Sequence, residues 1–192
     1  AQEVNAQLFE PSMDGRIFTV VDDTVVGPNG TGFAGMLNHA NDPLIYRYDE
    51  GDTREDVALL GSVTTTDLIG FVNINKLRVG LDVPVHLTAS GYELEGWGRR
   101  LIGDVRLEGK YALMPRKQGL GLSAGLGATL PTGSGLSYLG NATSTLTANL
   151  GASTGEDIVF AGNLGATLAR DDVNQILGEL TLSLIHTDAA DE

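Results

Sequence analysis

The stretch KLRVGLDVPVHLTAS, residues 76–90, decides how this chain is read. Leu77, Val79, Leu81, Val83, Val85 and Leu87 alternate in it with Arg78, Gly80, Asp82, Pro84, His86 and Thr88. A strand turns successive side chains to opposite faces, so the segment reads as a strand with one apolar and one polar face. GDVRLEGKYALMP, residues 103–115, repeats the design. Val105, Leu107, Tyr111 and Leu113 point one way, and Asp104, Arg106, Glu108 and Lys110 the other.

Outward from these two segments the same period continues. In GLGLSAGLGATLP, residues 119–131, Leu and Ala alternate with Gly, Ser and Thr. ATSTLTANLGAS at 142–153, DIVFAGNLGATLAR at 157–170 and QILGELTLSLIHT at 175–187 follow it. Upstream the pattern is less regular, but GRIFTVVDD, GTGFAGMLNHA, EDVALLGSV and DLIGFVNIN read as strands between Gly, Pro, Asn and Asp signals. The total is about ten strands. No helix-length segment is left for parallel crossovers, so the expected sheet is antiparallel and up-and-down. The chain reads as one domain over 1–192, with an exported segment at 1–13, strands over 14–187 and a tail at 188–192.

Connections alternate in character. Asn75 with Lys76, PRKQG and STGED read as tight turns, whereas SGYELEGWGRR and PTGSGLSYLGN are longer and Gly-rich. Short turns on one rim and long loops on the other are a habit of outer-membrane barrels. DDVNQ is short for an outer loop. Both 76–88 and 103–115 exceed the ~5 or 6 residues usual in soluble sheets and suit the roughly 9 to 11 that cross a bilayer at a tilt. The expectation is an all-β, antiparallel up-and-down transmembrane β-barrel, complete or part of a larger one, in a bacterial outer membrane. A soluble sandwich would also alternate, but its core calls for large aromatics. Aromatic residues make up 6% of the chain, which also makes any interfacial girdle thin. Tyr111, Phe160 and Phe71 are placed near the turn rim, and Tyr92, Trp97 and Tyr138 in the outer loops.

Composition narrows the function classes. The 25 Asp and Glu against 12 Lys and Arg give a formal charge of −13, which repels nucleic acid. With no cysteine there is no disulfide framework, thiolate nucleophile or Cys-ligated zinc. No run approaches the roughly 18 apolar residues of a spanning helix. The opening AQEVNAQLFEPS resembles the start of an exported chain from which a signal has been removed.

The runs GDVRLEGKYAL, LSAGLGATLPTG, LTANLGAS and AGNLGATLAR, with DPL at 42–44 as a fainter echo, resemble the barrel region of OmpA-type family proteins and phenol meta-pathway transporter-like barrels. The likeness covers residues 76 to 170 and rests on turn and strand patterns. It implies an outer-membrane location and a channel, transport or anchoring role, and it carries over no catalytic residue. LIHTDAADE lacks the terminal aromatic strand of such barrels, and no peptidoglycan-binding domain follows, so this chain is expected to be the front part of a longer protein.

Few motifs carry chemistry. GLSAG at 121–125 matches G-x-S-x-G, but Ser123 lies inside an unbroken alternation rather than on a strand-to-helix elbow. GDVRLEGKY has one residue too many for a P-loop, and Tyr111 replaces its Ser or Thr. His39, His86 and His186 form no ligand spacing. The acidic stretch YDEGDTRED offers Asp49, Glu50, Asp52, Glu55 and Asp56 as oxygen ligands for calcium, but it lacks EF-hand spacing and a solvated turn is the stronger reading of it. The constellation with most content is the charged face of Arg78, Asp82, Asp104, Arg106, Glu108 and Lys110. Inside a barrel these groups either pair as an ion network or set the selectivity of a pore. The expected partners are outer-membrane lipid and other envelope proteins, with no cofactor, no metal and no catalysis. The competing expectation is a secreted or periplasmic all-β module of carbohydrate-binding type.

Overall fold

A computed structural model describes residues 11–13, 24–50, 53–91, 102–116, 119–133, 139–140, 143–155, 158–170 and 176–188. Their strands are β1 (Gly30–Glu50), β2 (Thr53–Ile74), β3 (Leu77–Ser90), β4 (Val105–Met114), β5 (Gly121–Leu130), β6 (Thr145–Thr154), β7 (Ile158–Arg170) and β8 (Ile176–Asp188). Each pairs antiparallel with the next in sequence, giving one up-and-down sheet in the order β1 to β8. The sheet curls into a half-barrel. No pairing of β1 with β8 occurs among the described residues.

The strand number differs from the sequence expectation. EDVALLGSV and DLIGFVNIN are one strand, β2, because Thr64, Thr65 and Thr66 between them are β-branched and stay in the ladder. GTGFAGMLNHA likewise runs on through DPL to Glu50. Its register shifts between Asn41 and Leu44, where Asp42 takes a left-handed φ of 46° ahead of Pro43. GRIFTVVDD lies outside the described residues. The sheet therefore has eight described strands where about ten were expected.

One rim carries the connections after β2, β4 and β6, beginning with the two-residue turn of Asn75 and Lys76. The other carries the connections after β1, β3, β5 and β7. β1 and β2 outrun their neighbours at that rim. Pairing of β2 with β3 ends at Ser62 and Ser90, so residues 53–61 and their β1 partners project beyond it by about 30 Å at strand rise. The acidic stretch sits at the tip of this hairpin. Asp49, Glu50, Glu55 and Asp56 belong to its strands, Asp52 lies outside the described residues, and so do the side chains of the other four.

The two faces are partitioned in an unusual sense. Along β3, Arg78, Gly80, Asp82, Pro84 and His86 are buried, while Leu77, Val79, Leu81 and Leu87 are exposed. The same holds on β4 to β7, where Leu107, Leu126, Leu146, Leu150, Leu164 and Leu168 stand outward. Leu126 keeps 71% of its surface accessible and Phe33 86%. Tyr111 and Phe160 are exposed on this outer face near the turn rim, as expected. Phe71 is near the same rim, as expected, but on the inner side, where its ring lies under Arg78, 4.6 Å from the guanidinium carbon. Phe33 takes the outward place, its ring over Gly70. Tyr92, Trp97 and Tyr138 lie outside the described residues.

Asn75 adopts φ 55°, a left-handed conformation that its short polar side chain tolerates. Its N–H donates to Asn29 Oδ1 at 2.6 Å, a bond that survives substitution of the side chain. Asn75→Gly should therefore leave stability unchanged or raise it, whereas Asn75→Val should cost about 1–2 kcal/mol. Equilibrium urea unfolding of the two variants checks this, and equal stabilities would show that the turn is not left-handed.

Candidate functional site

Burying charge requires compensation, because an ion taken out of water without a partner costs several kcal/mol. The inner face meets that demand by register. Asp82 on β3 lies opposite Arg106 on β4, and Arg106 Nη2 donates to Asp82 Oδ2 at 3.2 Å. Their side chains are 14% and 4% accessible for Arg106 and Asp82. Arg106 Nη2 also donates to the carbonyl oxygen of Pro11.

One step toward the turn rim, Gly80 faces Glu108, and one step further Arg78 faces Lys110. Two cations across a ladder repel. Arg78 turns sideways: Nε donates to Asn73 Oδ1 at 2.9 Å, Nη1 reaches the Met13 carbonyl at 3.4 Å, and the guanidinium stacks on Phe71. Lys110 is buried on the same inner row.

Toward the loop rim, Asp104 is buried and its Oδ1 accepts the Gly133 N–H at 2.9 Å. Thr132 completes that corner, donating to the Gly103 carbonyl at 2.7 Å and accepting the Val105 N–H at 2.9 Å. The connection after β5 is thus tied to the start of β4. Above it Leu139 joins Leu60 and Val63 in an apolar cluster, flanked by Ala40, Leu44 and Ala89. His86, buried just below, shares a 2.9 Å hydrogen bond between Nδ1 and Thr65 Oγ1.

The structure therefore brings all six expected charged residues to one inner face, with Asp82 and Arg106 in direct contact, Arg78, Glu108 and Lys110 along the same two strands and Asp104 just before β4. Several inner residues were not singled out from sequence. Asp67 is fully buried and accepts from Asn38 Nδ2 at 2.7 Å; Asn73 donates to the Pro28 carbonyl at 3.3 Å. Their signal was present, since Asp67, Ile69, Phe71 and Asn73 share one parity of β2, but two apolar members obscured it. Pro11, Met13 and Thr24 gave no periodic signal at all.

Ser123 is the third residue of β5, buried and within the ladder with Ala112 and Gly151. His39 is on the outer side of β1, bonded to Thr64 and Asn41, far along the sheet from Ser123. Of His186 only the backbone is described, paired with Phe160. Among the described residues no group of three or more His, Asp or Glu is arranged to hold a metal ion. Compared with known proteins, the chain matches no family model, no curated protein and no solved structure. Its chemistry has to be read from this face.

Removing one member of the buried pair leaves the other uncompensated. Asp82→Asn should lower the unfolding free energy by about 3–5 kcal/mol, within the range for broken buried pairs. The Asp82→Asn, Arg106→Gln double variant should lose less than the two single losses added together. A double-mutant cycle by urea titration measures the coupling, and strict additivity would mean that the two charges do not interact.

Proposed function

We propose that this chain forms the wall of a transmembrane β-barrel in a bacterial outer membrane, closed at rest and serving in gated passive passage across the envelope. The observation that carries this reading is the direction of the partition. Water-soluble sheets turn leucine inward and charge outward; here Leu81 is exposed and Asp82 buried on the same strand. Contiguous apolar surface of this extent calls for an apolar neighbour. Lipid is the neighbour that suits it, because the outward face presents Leu, Val and Ala with no charged residue on the described outer positions of β4 to β7.

Strand length supports the same reading. β4, β5 and β6 each have 10 residues, within the roughly 9 to 11 of a tilted crossing. On β1 to β3 the outward apolar residues give way toward the loop rim to a polar collar. There His39 bonds Thr64 at 2.8 Å, Thr88 donates to Thr64 at 2.9 Å, and Ser62 bonds Ser90 at 2.8 Å. Such a change of character fits the boundary between hydrocarbon and headgroup. The hairpin beyond it then extends into the aqueous space. A secreted binding module is disfavoured by the partition, since its exposed leucines would be its core.

Arginine at the outer positions Leu81 or Leu107 should oppose insertion by about 2–4 kcal/mol near the bilayer midplane. Arginine at Thr147, which bonds Thr167 at 3.2 Å on the inner side, should cost the lipid interaction nothing. Folding titrations into lipid vesicles compare them. Folding to the same extent with and without lipid, or equal penalties at Leu107 and Thr147, would overturn the membrane reading.

A further inference from the structure

The inner face is occupied by the chain's own N-terminal region. Pro11, Ser12 and Met13 are buried there, and so is Thr24. The Pro11 carbonyl receives Arg106, the Met13 carbonyl receives Arg78, and the Pro28 carbonyl receives Asn73. Thr24 Oγ1 lies 2.5 Å from Ser153 Oγ on β6. These contacts follow one line, from the level of Asp82 and Arg106 to the turn rim, where Asn29 holds Asn75 and β1 begins.

The wall is hollowed to receive this line. A Cβ on Gly80 would stand 2.5 Å from Met13 Sδ and 3.3 Å from Met13 Cβ. A Cβ on Gly121 would collide with Thr24 Oγ1, and also with Arg116 Cβ at 2.9 Å. Glycine at these two positions gives the extra segment room against the sheet.

The wall does not need the segment to stay compensated. Arg106 keeps Asp82, and Arg78 keeps Asn73 and the Phe71 ring, when the carbonyls leave. Water replaces a carbonyl oxygen on a guanidinium at little cost. Pro11 and Met13 are the apolar side chains that the described part of the segment buries fully.

We propose that residues 11–13 and 24–29 are a displaceable internal strap, which blocks the inner face when seated on Arg78, Arg106 and Ser153 and opens a passage for small hydrated ions when it leaves. This rests on the membrane reading given above. The two guanidinium donors of the seat have second acceptors, so opening separates the strap from the wall without stripping the wall of its ion pair.

The chain has no cysteine, so Thr24→Cys with Ser153→Cys places two thiols alone at the seat. The full chain bearing both is inserted into planar bilayers, and conductance is recorded with the thiols joined and after reduction. The joined form should be silent and the reduced form should open. Gly80→Val, which displaces Met13, should raise the open frequency by about tenfold or more over the unmodified chain. In a second measurement, Thr24→Cys alone should react with a water-soluble maleimide about tenfold faster when combined with Gly80→Val. A joined form that conducts like the reduced one overturns the strap, as does inserted protein that never conducts in any variant. Failure to insert at all overturns the membrane reading itself, which the vesicle titrations detect separately.

Discussion

The pairing of Asp82 with Arg106 across β3 and β4 is the contact on which the inner face depends. A strand period of two sends every second residue inward, so once Arg78, Asp82, Asp104, Arg106, Glu108 and Lys110 are written at one parity they arrive together. A slip of one residue would turn Leu81 and Leu107 inward and put the charges outside. Register and charge compensation therefore select the same alignment. The β3–β4 ladder stops at this pair, and Pro84, which has no N–H to give, stands just beyond it with its carbonyl accepting from Gly103 at 2.8 Å.

β5 to β7 solve a different problem on the same face. They carry Gly, Ser, Thr and Asn inward instead of charge, so they need hydrogen bonds but no counter-ions. Thr147 with Thr167, and Ser153 with Thr24, meet that need with short side chains. Small inward groups also leave space, and the strap crosses the wall on this side at Gly121 and Ser153. The charged half of the wall supplies donors to the strap's carbonyls, and the neutral half supplies room.

Much of this was legible in the sequence, and the limits have physical reasons. β3 to β8 follow from alternation because each has a face of nearly uniform polarity. β1 and β2 misled because Phe71 and Ile69 are apolar residues at inward positions, one stacked beneath Arg78 and the other buried. That breaks the period that sequence reading relies on, and it also hid Asp67 and Asn73. The polar threonine run of β2 resembled a break, whereas β-branched residues favour continuation. The six inner charges were found because a strand fixes parity. The strap was invisible because its seat uses backbone carbonyls, and every residue has one.

The two ends of the interior are closed by unlike chemistry, and that difference assigns them different mobilities. At the loop rim Leu139, Leu60 and Val63 exclude water together, and Thr132 with Gly133 fastens their connection to Gly103 and Asp104. Separating that cluster exposes apolar surface, and its free energy rises with the area uncovered. Toward the turn rim the strap's hydrogen bonds to the wall are ones that water can take up, and Pro11 and Met13 are its fully buried apolar side chains. Local opening follows the end with the fewest buried apolar contacts. Movement inside this wall therefore begins at the turn rim, next to the origin of β1.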